Sequence, residues 1–297
     1  MNLTPKGIIV PVVTPFDSNQ KIDEAALRKI LRHVVEGGVH GVFVTGTTSE
    51  FYALSKDEHA EIFRIAVDEV KGRVPVYGGT TGITTSDAVQ LTQIAEERGV
   101  DAVSVLTPYF IGLTQEELYQ HYKAIAESTS LPVILYDNKP KTNLTIQPAT
   151  VERLSNIKNV IAMKDSTGDL TNTTEIIRRT RNNPDFHVLM GRDSLIFAAL
   201  CSGASGAIAA CANGAPRLVS DIYDKFMAGD YEGAREAQFR LVPLRIAFSL
   251  GSFPAVIKEA LSMVGIDAGD CKLPTSRLTQ DESTQLKTIL TEMELVG

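Results

Sequence analysis

Short apolar runs alternate with amphipathic stretches along most of this 297-residue chain. The runs are Gly7 to Phe16, Gly41 to Thr45, Pro75 to Gly79, Ala102 to Thr107, Pro132 to Tyr136, Val160 to Lys164, His187 to Met190 and Gly206 to Ala210. They are continuous rather than alternating, the pattern of parallel strands buried on both faces. Between them the apolar period becomes helical. From Asp23, a suitable N-cap, to Gly37, the side chains Leu27, Ile30, Leu31 and Val34 fall on one face. Ser55-x-x-Glu58 and Thr114-x-x-Glu117 have capping-box form, and Ser86 and Ala215-Pro216 mark later helix starts. About eight βα units with short connections predict an α/β fold, a (β/α)₈ TIM barrel, with an open doubly wound sheet as the alternative. Beyond Asp230 the strand pattern stops, and Tyr231 to Phe248, Phe253 to Val264 and Thr279 to Glu294 predict three helices. The chain thus divides into a catalytic barrel over 1–225 and a helical extension over 226–297, packed on the barrel.

Composition narrows the functions. With 43% hydrophobic and 22% charged residues the chain has the makeup of an ordinary globular protein. A net charge of -7, with no Lys/Arg block, argues against nucleic-acid binding, while one local cation suffices for a small anion. Cys201, Cys211 and Cys271 lack paired spacing, and the five histidines form no ligand pair, so neither a disulfide framework nor a metal is expected. The first residues lack a basic region followed by an apolar stretch, and no run is long enough to span a bilayer; a cytoplasmic location is expected.

In such a barrel, chemistry sits where strands end. Val160-Ile161-Ala162-Met163 ends in Lys164, followed by the polar turn Asp165-Ser166-Thr167-Gly168. An amine at that end faces a crevice, where partial desolvation favours its neutral, nucleophilic form. On this segment alone, a lysine reaching to solvent fits at least as well. Tyr136 ends the fifth run, where a phenol beside an amine can relay protons. Gly46-Thr47-Thr48 ends the second and offers N–H and hydroxyl groups to a carboxylate. An amine, a phenol, an anion nest and an Asp converging on one face have the logic of a Schiff-base enzyme for a small oxo acid.

Gly46-Thr47-Thr48-Ser49-Glu50, Tyr136 and Ile161-Ala162-Met163-Lys164-Asp165 together resemble the signature set of the dihydrodipicolinate synthase/N-acetylneuraminate lyase family of class I aldolases. Order and spacing match over nearly the whole chain, including Pro11 to Phe16 and the helical tail. The resemblance implies a homotetramer, built as a dimer of dimers, and no cofactor beyond a covalent imine between Lys164 and pyruvate or a pyruvoyl substrate. It implies that Tyr136 shuttles protons, that Thr47 and Thr48 bind the pyruvate carboxylate and pass protons, and that the Ile208 backbone lines the pyruvate pocket.

Departures from the family pattern bear on the substrate. Members that make dihydrodipicolinate carry an arginine where Lys141 stands, and a tyrosine lent across the dimer interface where Phe110 stands. Lysine keeps the charge without the bidentate fork, and Phe110 has no hydroxyl for a relay. Sialic acid lyases carry Asp-Glu where this chain has Asp193-Ser194. Asp193 and Ser166 are candidates to meet the hydroxyls of a shorter polyol, and Ser49, in place of a glycine, to add a side chain near the pocket mouth. The expectation is a Schiff-base-forming class I lyase with pyruvate as donor or product, acting on a 2-oxo-3-deoxy sugar acid. Alternatives are dihydrodipicolinate synthase, N-acetylneuraminate lyase, a related dehydratase, or a pyruvate-binding regulatory barrel without turnover.

Overall fold

β1 (Gly7–Pro11) pairs in parallel with β2 (Gly41–Val44) on one side and β8 (Gly206–Ile208) on the other, so the sheet has no edge. Between them β3 (Val76–Gly79), β4 (Ala102–Leu106), β5 (Val133–Asp137), β6 (Val160–Asp165) and β7 (His187–Met190) follow in chain order around a closed parallel barrel. This computed structural model describes residues 3–296. Closure excludes the open doubly wound sheet. The first apolar run is shorter as a strand than its hydrophobicity predicts: after Pro11 the chain leaves the sheet, and Phe16 instead forms isolated bridges with Ile22 and Asp270.

Each strand sends one residue into a layer inside the barrel: Ile9, Phe43, Tyr77, Ala102, Ile134, Ala162, Leu189 and Ile208, all nearly or fully buried. Outward-facing strand residues such as Val10, Val42 and Val44 join a larger core with the helices, including Leu27, Ile30 and Leu31 of helix Glu24–Glu36. Asp23 caps that helix by accepting from the Ala26 N–H, and both capping boxes form, at Ser55/Glu58 and Thr114/Glu117. Ser86 lies in the first turn of its helix, Thr85–Glu97, close to the start as expected. Thr84 is the cap, accepting from the Asp87 N–H, because the competing hydroxyl two residues earlier has the extended backbone a cap requires.

The last three helices are Tyr231–Ala247, Ala255–Met263 and Gln280–Glu292. Gln238 ties the first of them to the loop after β7: its amide donates to the Asp193 carbonyl at 2.9 Å, and its oxygen accepts from the Phe197 N–H at 3.0 Å. Among the described residues no helix is long and apolar enough to cross a membrane.

Candidate active site

Side chains alternate along a strand, so a residue two beyond an inward one also points inward. Ile134 and Ala162 belong to the interior layer, which places Tyr136 and Lys164 directly above it, and the β5–β6 register sets those two opposite each other. Both side chains are buried at 4% exposure. The Lys164 Nζ lies 3.9 Å from the centroid of the Tyr136 ring and 5.2 Å from that of Phe43. The Tyr136 hydroxyl accepts from Asn138 Nδ2 at 3.0 Å and shares a 3.2 Å hydrogen bond with Thr47 Oγ1. Burial would raise this phenol, but the neighbouring Lys164 charge and the hydrogen bonds from Thr47 and Asn138 outweigh it, holding the group below the usual phenol range.

Thr47 begins a single turn, Thr47–Ser49, closed by the Ser49 N–H on the Gly46 carbonyl. The first amides of a helical turn have no acceptor within it, which leaves those of Thr47 and Thr48 for a ligand. Gly46 lets the turn pack against the Phe43 ring, from which a Cβ there would sit 2.7 Å. Thr47, Thr48, Tyr136, Lys164, Ser166 and Ile208 all line one cavity of about 320 Å³ at the C-terminal mouth of the barrel. The loop after β6 is pinned by Asp165, which accepts from Thr167 N–H and Oγ1 with one oxygen and from Thr173 and Asn172 with the other.

One expected site residue does not reach this cavity. Ser49 is fully buried; its hydroxyl donates to the Val12 carbonyl and accepts from the Gly46 N–H, so it braces the turn from beneath instead of sitting at the pocket mouth. Phe110, expected to stand where a residue is lent across a dimer interface, has left-handed backbone at φ 79° and is 94% exposed, projecting away from the chain's own cavity. Lys141 lies on the exposed rim, on the short helix Lys139–Thr142. Asp193 lines the cavity, but one carboxylate oxygen accepts from the Cys211 N–H at 2.8 Å and the other faces Arg245 at 3.8 Å.

Sequence reasoning missed Arg192 and Arg245, both on the cavity wall. The strand-end rule that singled out Asp193 applies equally to Arg192, its neighbour. Arg245 carried no such signal, because it sits on a helix far along the chain. It reaches the cavity because it follows Gln238 by two helical turns and shares its face. Asp137 was also missed. It is fully buried at the end of β5, with Oδ2 accepting from the Ile146 N–H at 2.9 Å and Oδ1 without a partner.

Burial, reinforced by the nearby Asp165 charge and opposed by the Ile146 bond, pushes the Asp137 carboxyl from 3.8 up to about 7. A carboxyl that holds its proton more tightly when folded takes stability away as pH rises between those two values, since the native state then binds more protons than the unfolded one. Asp137→Asn is therefore expected to gain stability relative to the parent between pH 4.5 and pH 8, by on the order of a few kcal/mol. Parallel pH profiles in urea titrations would show that Asp137 ionises as an ordinary surface carboxylate.

Among the described residues no group of three or more His, Cys, Asp or Glu side chains is gathered as metal ligands would be. A buried lysine beside a tyrosine at the C-terminal mouth of a closed (β/α)₈ barrel defines a class I aldolase architecture, that of carbon–carbon lyases. The sequence pattern of the Dihydrodipicolinate synthetase family matches residues 4–293, and the chain belongs to that family. It is 39% identical over 292 residues to a 4-hydroxy-tetrahydrodipicolinate synthase of Syntrophus aciditrophicus, covering 98% of this chain and 99% of the relative. A dihydrodipicolinate synthase structure from Bacillus anthracis superposes with TM-score 0.93 at 37% identity, over 96% of this chain and 97% of that one. A prophage protein of the dihydrodipicolinic acid synthase family from E. coli K12, solved in complex with pyruvate, superposes with TM-score 0.95 at 31% identity, over 98% and 99%.

Proposed function

We propose that this chain joins pyruvate to an aldehyde, or reverses that reaction, through an imine on Lys164. The observation that carries this reading is the buried Lys164 amine 3.9 Å from the Tyr136 ring, whose hydroxyl is bonded to Thr47. Thr47 and Thr48 hold the pyruvate carboxylate with the open amides of their turn, and Ile208 lines the same cavity. Lys164, as the free amine, adds to the pyruvate carbonyl carbon, and the carbinolamine oxygen leaves as water with a proton supplied through Tyr136. Loss of a proton from the methyl carbon gives an enamine. That carbon attacks the aldehyde carbon, the aldehyde oxygen takes a proton, and one water hydrolyses the new iminium, releasing a 4-hydroxy-2-oxo acid and regenerating the amine.

Borohydride reduction with pyruvate, followed by peptide mass spectrometry, tests the reading: an adduct on Lys164 is expected, and an unmodified Lys164 sinks it. Tyr136→Phe is expected to cut kcat by roughly 10²–10⁴-fold, the usual worth of a positioned acid–base group, with a far smaller change in pyruvate KM. The reverse split would make Tyr136 a binding group only.

For the aldehyde, the activity named for the curated relatives, 4-hydroxy-tetrahydrodipicolinate synthesis, remains the nearest model; Lys141 and Phe110 are where this chain departs from it. A 2-oxo-3-deoxy sugar acid has weaker support, because Asp193 is already engaged by Cys211 and faced by Arg245, leaving Ser166 as the freer hydroxyl partner. Assembly as a homotetramer is part of the proposal: Phe110 and Ile111, 94% and 61% exposed on one loop, offer apolar surface to a second copy.

A further inference from the structure

Five ionisable side chains besides Tyr136 line the cavity at the barrel mouth, and basic groups outnumber acidic ones. Lys141, Lys164, Arg192 and Arg245 are set against the single carboxylate of Asp193, in a chain whose net charge is -7. The pyruvate chemistry proposed above uses Lys164. It gives no work to the two arginines.

The protein leaves both guanidiniums incompletely paired. Arg245 approaches Asp193 only at 3.8 Å, beyond hydrogen-bond range, and that carboxylate already accepts from the Cys211 N–H. The Arg192 Nε is buried without any hydrogen-bond partner. An unpaired buried donor on a charged group is costly and is kept where a ligand supplies the acceptor. Arg192 is held over the loop after β6, its Nε only 3.4 Å from where a Cβ on Gly168 would lie; glycine at that left-handed position, φ 84°, leaves the room. Both arginines line the same cavity, and burial together with the Arg245 charge holds Arg192 below the usual arginine range.

Depth orders the cavity. Lys164, Tyr136, Thr48 and Ile208 form its floor at 2–4% exposure. The Arg245 side chain is 27% exposed and Arg192 half-buried, so this pair sits between the floor and the mouth. An acceptor aldehyde that reacts at the floor extends its far end toward them.

We infer that Arg192 and Arg245 form an anion subsite that takes the distal acid group, carboxylate or phosphate, of the acceptor aldehyde. The inference rests on the imine reading of Lys164. It moves acid recognition from Lys141 on the exposed rim to a half-buried pair contributed by the β7 loop and the helical extension. Two planar forks matched to oxyanions select for that group more sharply than one mobile ammonium. The product is then a 4-hydroxy-2-oxo diacid or its phosphorylated equivalent, rather than a sugar acid with an uncharged tail.

Paired aldehydes test this, with kcat/KM measured alongside pyruvate: succinic semialdehyde against butanal for carboxylate, and glyceraldehyde 3-phosphate against glyceraldehyde for phosphate. The unaltered enzyme is expected to favour the acid member of at least one pair by about tenfold or more, and the pair that discriminates identifies the acid group. The double variant Arg192→Gln, Arg245→Gln is expected to lower that ratio by at least ~tenfold more than Lys141→Gln does. Ratios near one in both pairs overturn the subsite, and so does a larger fall in Lys141→Gln. Ratios near one decide against the subsite even if the double variant does not fold, and the single variants Arg192→Gln and Arg245→Gln then replace it in the comparison with Lys141→Gln. Borohydride trapping runs in parallel. An imine on Lys164 without acid preference overturns the subsite alone, whereas absence of the imine overturns the Lys164 reading and the subsite with it.

Discussion

Lys164→Ala is expected to lose at least ~10⁴-fold in turnover while remaining folded, because the covalent route disappears with its nucleophile. The stability side follows from what the lysine touches. Its ammonium is buried, faces the rings of Tyr136 at 3.9 Å and Phe43 at 5.2 Å, and pairs with no carboxylate among the described residues. Removing it forfeits cation–π attraction worth about 2 kcal/mol in a desolvated site. It also relieves the cost of keeping a charge out of water, which offsets that loss. Urea denaturation should therefore give a change within about 1 kcal/mol, against the several kcal/mol usual for large core truncations. Retained turnover in a folded variant would place the nucleophile elsewhere. A collapse in stability would mean that Lys164 is structural, and the activity loss would then carry no mechanistic weight.

Lys258→Met is expected to destabilise the fold by about 3–5 kcal/mol, the usual cost of stranding one partner of a buried ion pair. Lys258 and Glu50 are 3% and 0% exposed, with Nζ donating to Glu50 Oε1 at 2.7 Å. The other Glu50 oxygen accepts from the Lys272 N–H at 2.8 Å, so one carboxylate joins the turn after β2 to two separate segments of the extension. Glu50 itself adopts left-handed backbone, φ 61°, a conformation that a non-glycine residue keeps only when its surroundings hold it. It directly follows Thr47–Ser49, so the same substitution should also raise the pyruvate KM by letting the carboxylate nest relax. Adding Glu50→Gln to Lys258→Met should recover part of the stability, since the stranded charge is then gone. A loss below about 1 kcal/mol in the single variant would show that water reaches the pair and shares its charge.

The barrel was legible because its signals are local. Continuous apolar runs, capping boxes at Ser55 and Thr114, and the N-cap at Asp23 each lie within a few residues of what they specify. Lys164 and Tyr136 were legible for the same reason: each ends a strand, and the two-residue alternation that buries Ala162 and Ile134 turns both inward. Ser49 misled because its hydroxyl is consumed by the Val12 carbonyl, a contact with a different strand's loop that no local pattern records. Phe110, expected to stand where a residue is lent across a dimer interface, is exposed and has left-handed backbone.

By itself, the amino-acid sequence determined the eight strands, the helices between them and the face on which a lysine and a tyrosine would stand, because hydrogen-bond period and side-chain alternation act over a few residues. Only the tertiary structure decided the rest of the pocket. Closure of β1 onto β8 brings Ile208 to the floor beside Lys164. Gln238, bonded to the β7 loop, aims Arg245 into the same cavity as Arg192. These are long-range packing outcomes: each depends on how whole elements bury their apolar faces against one another, and a charge on the barrel-facing side of one helix meets a charge at the end of one strand only once that burial is complete.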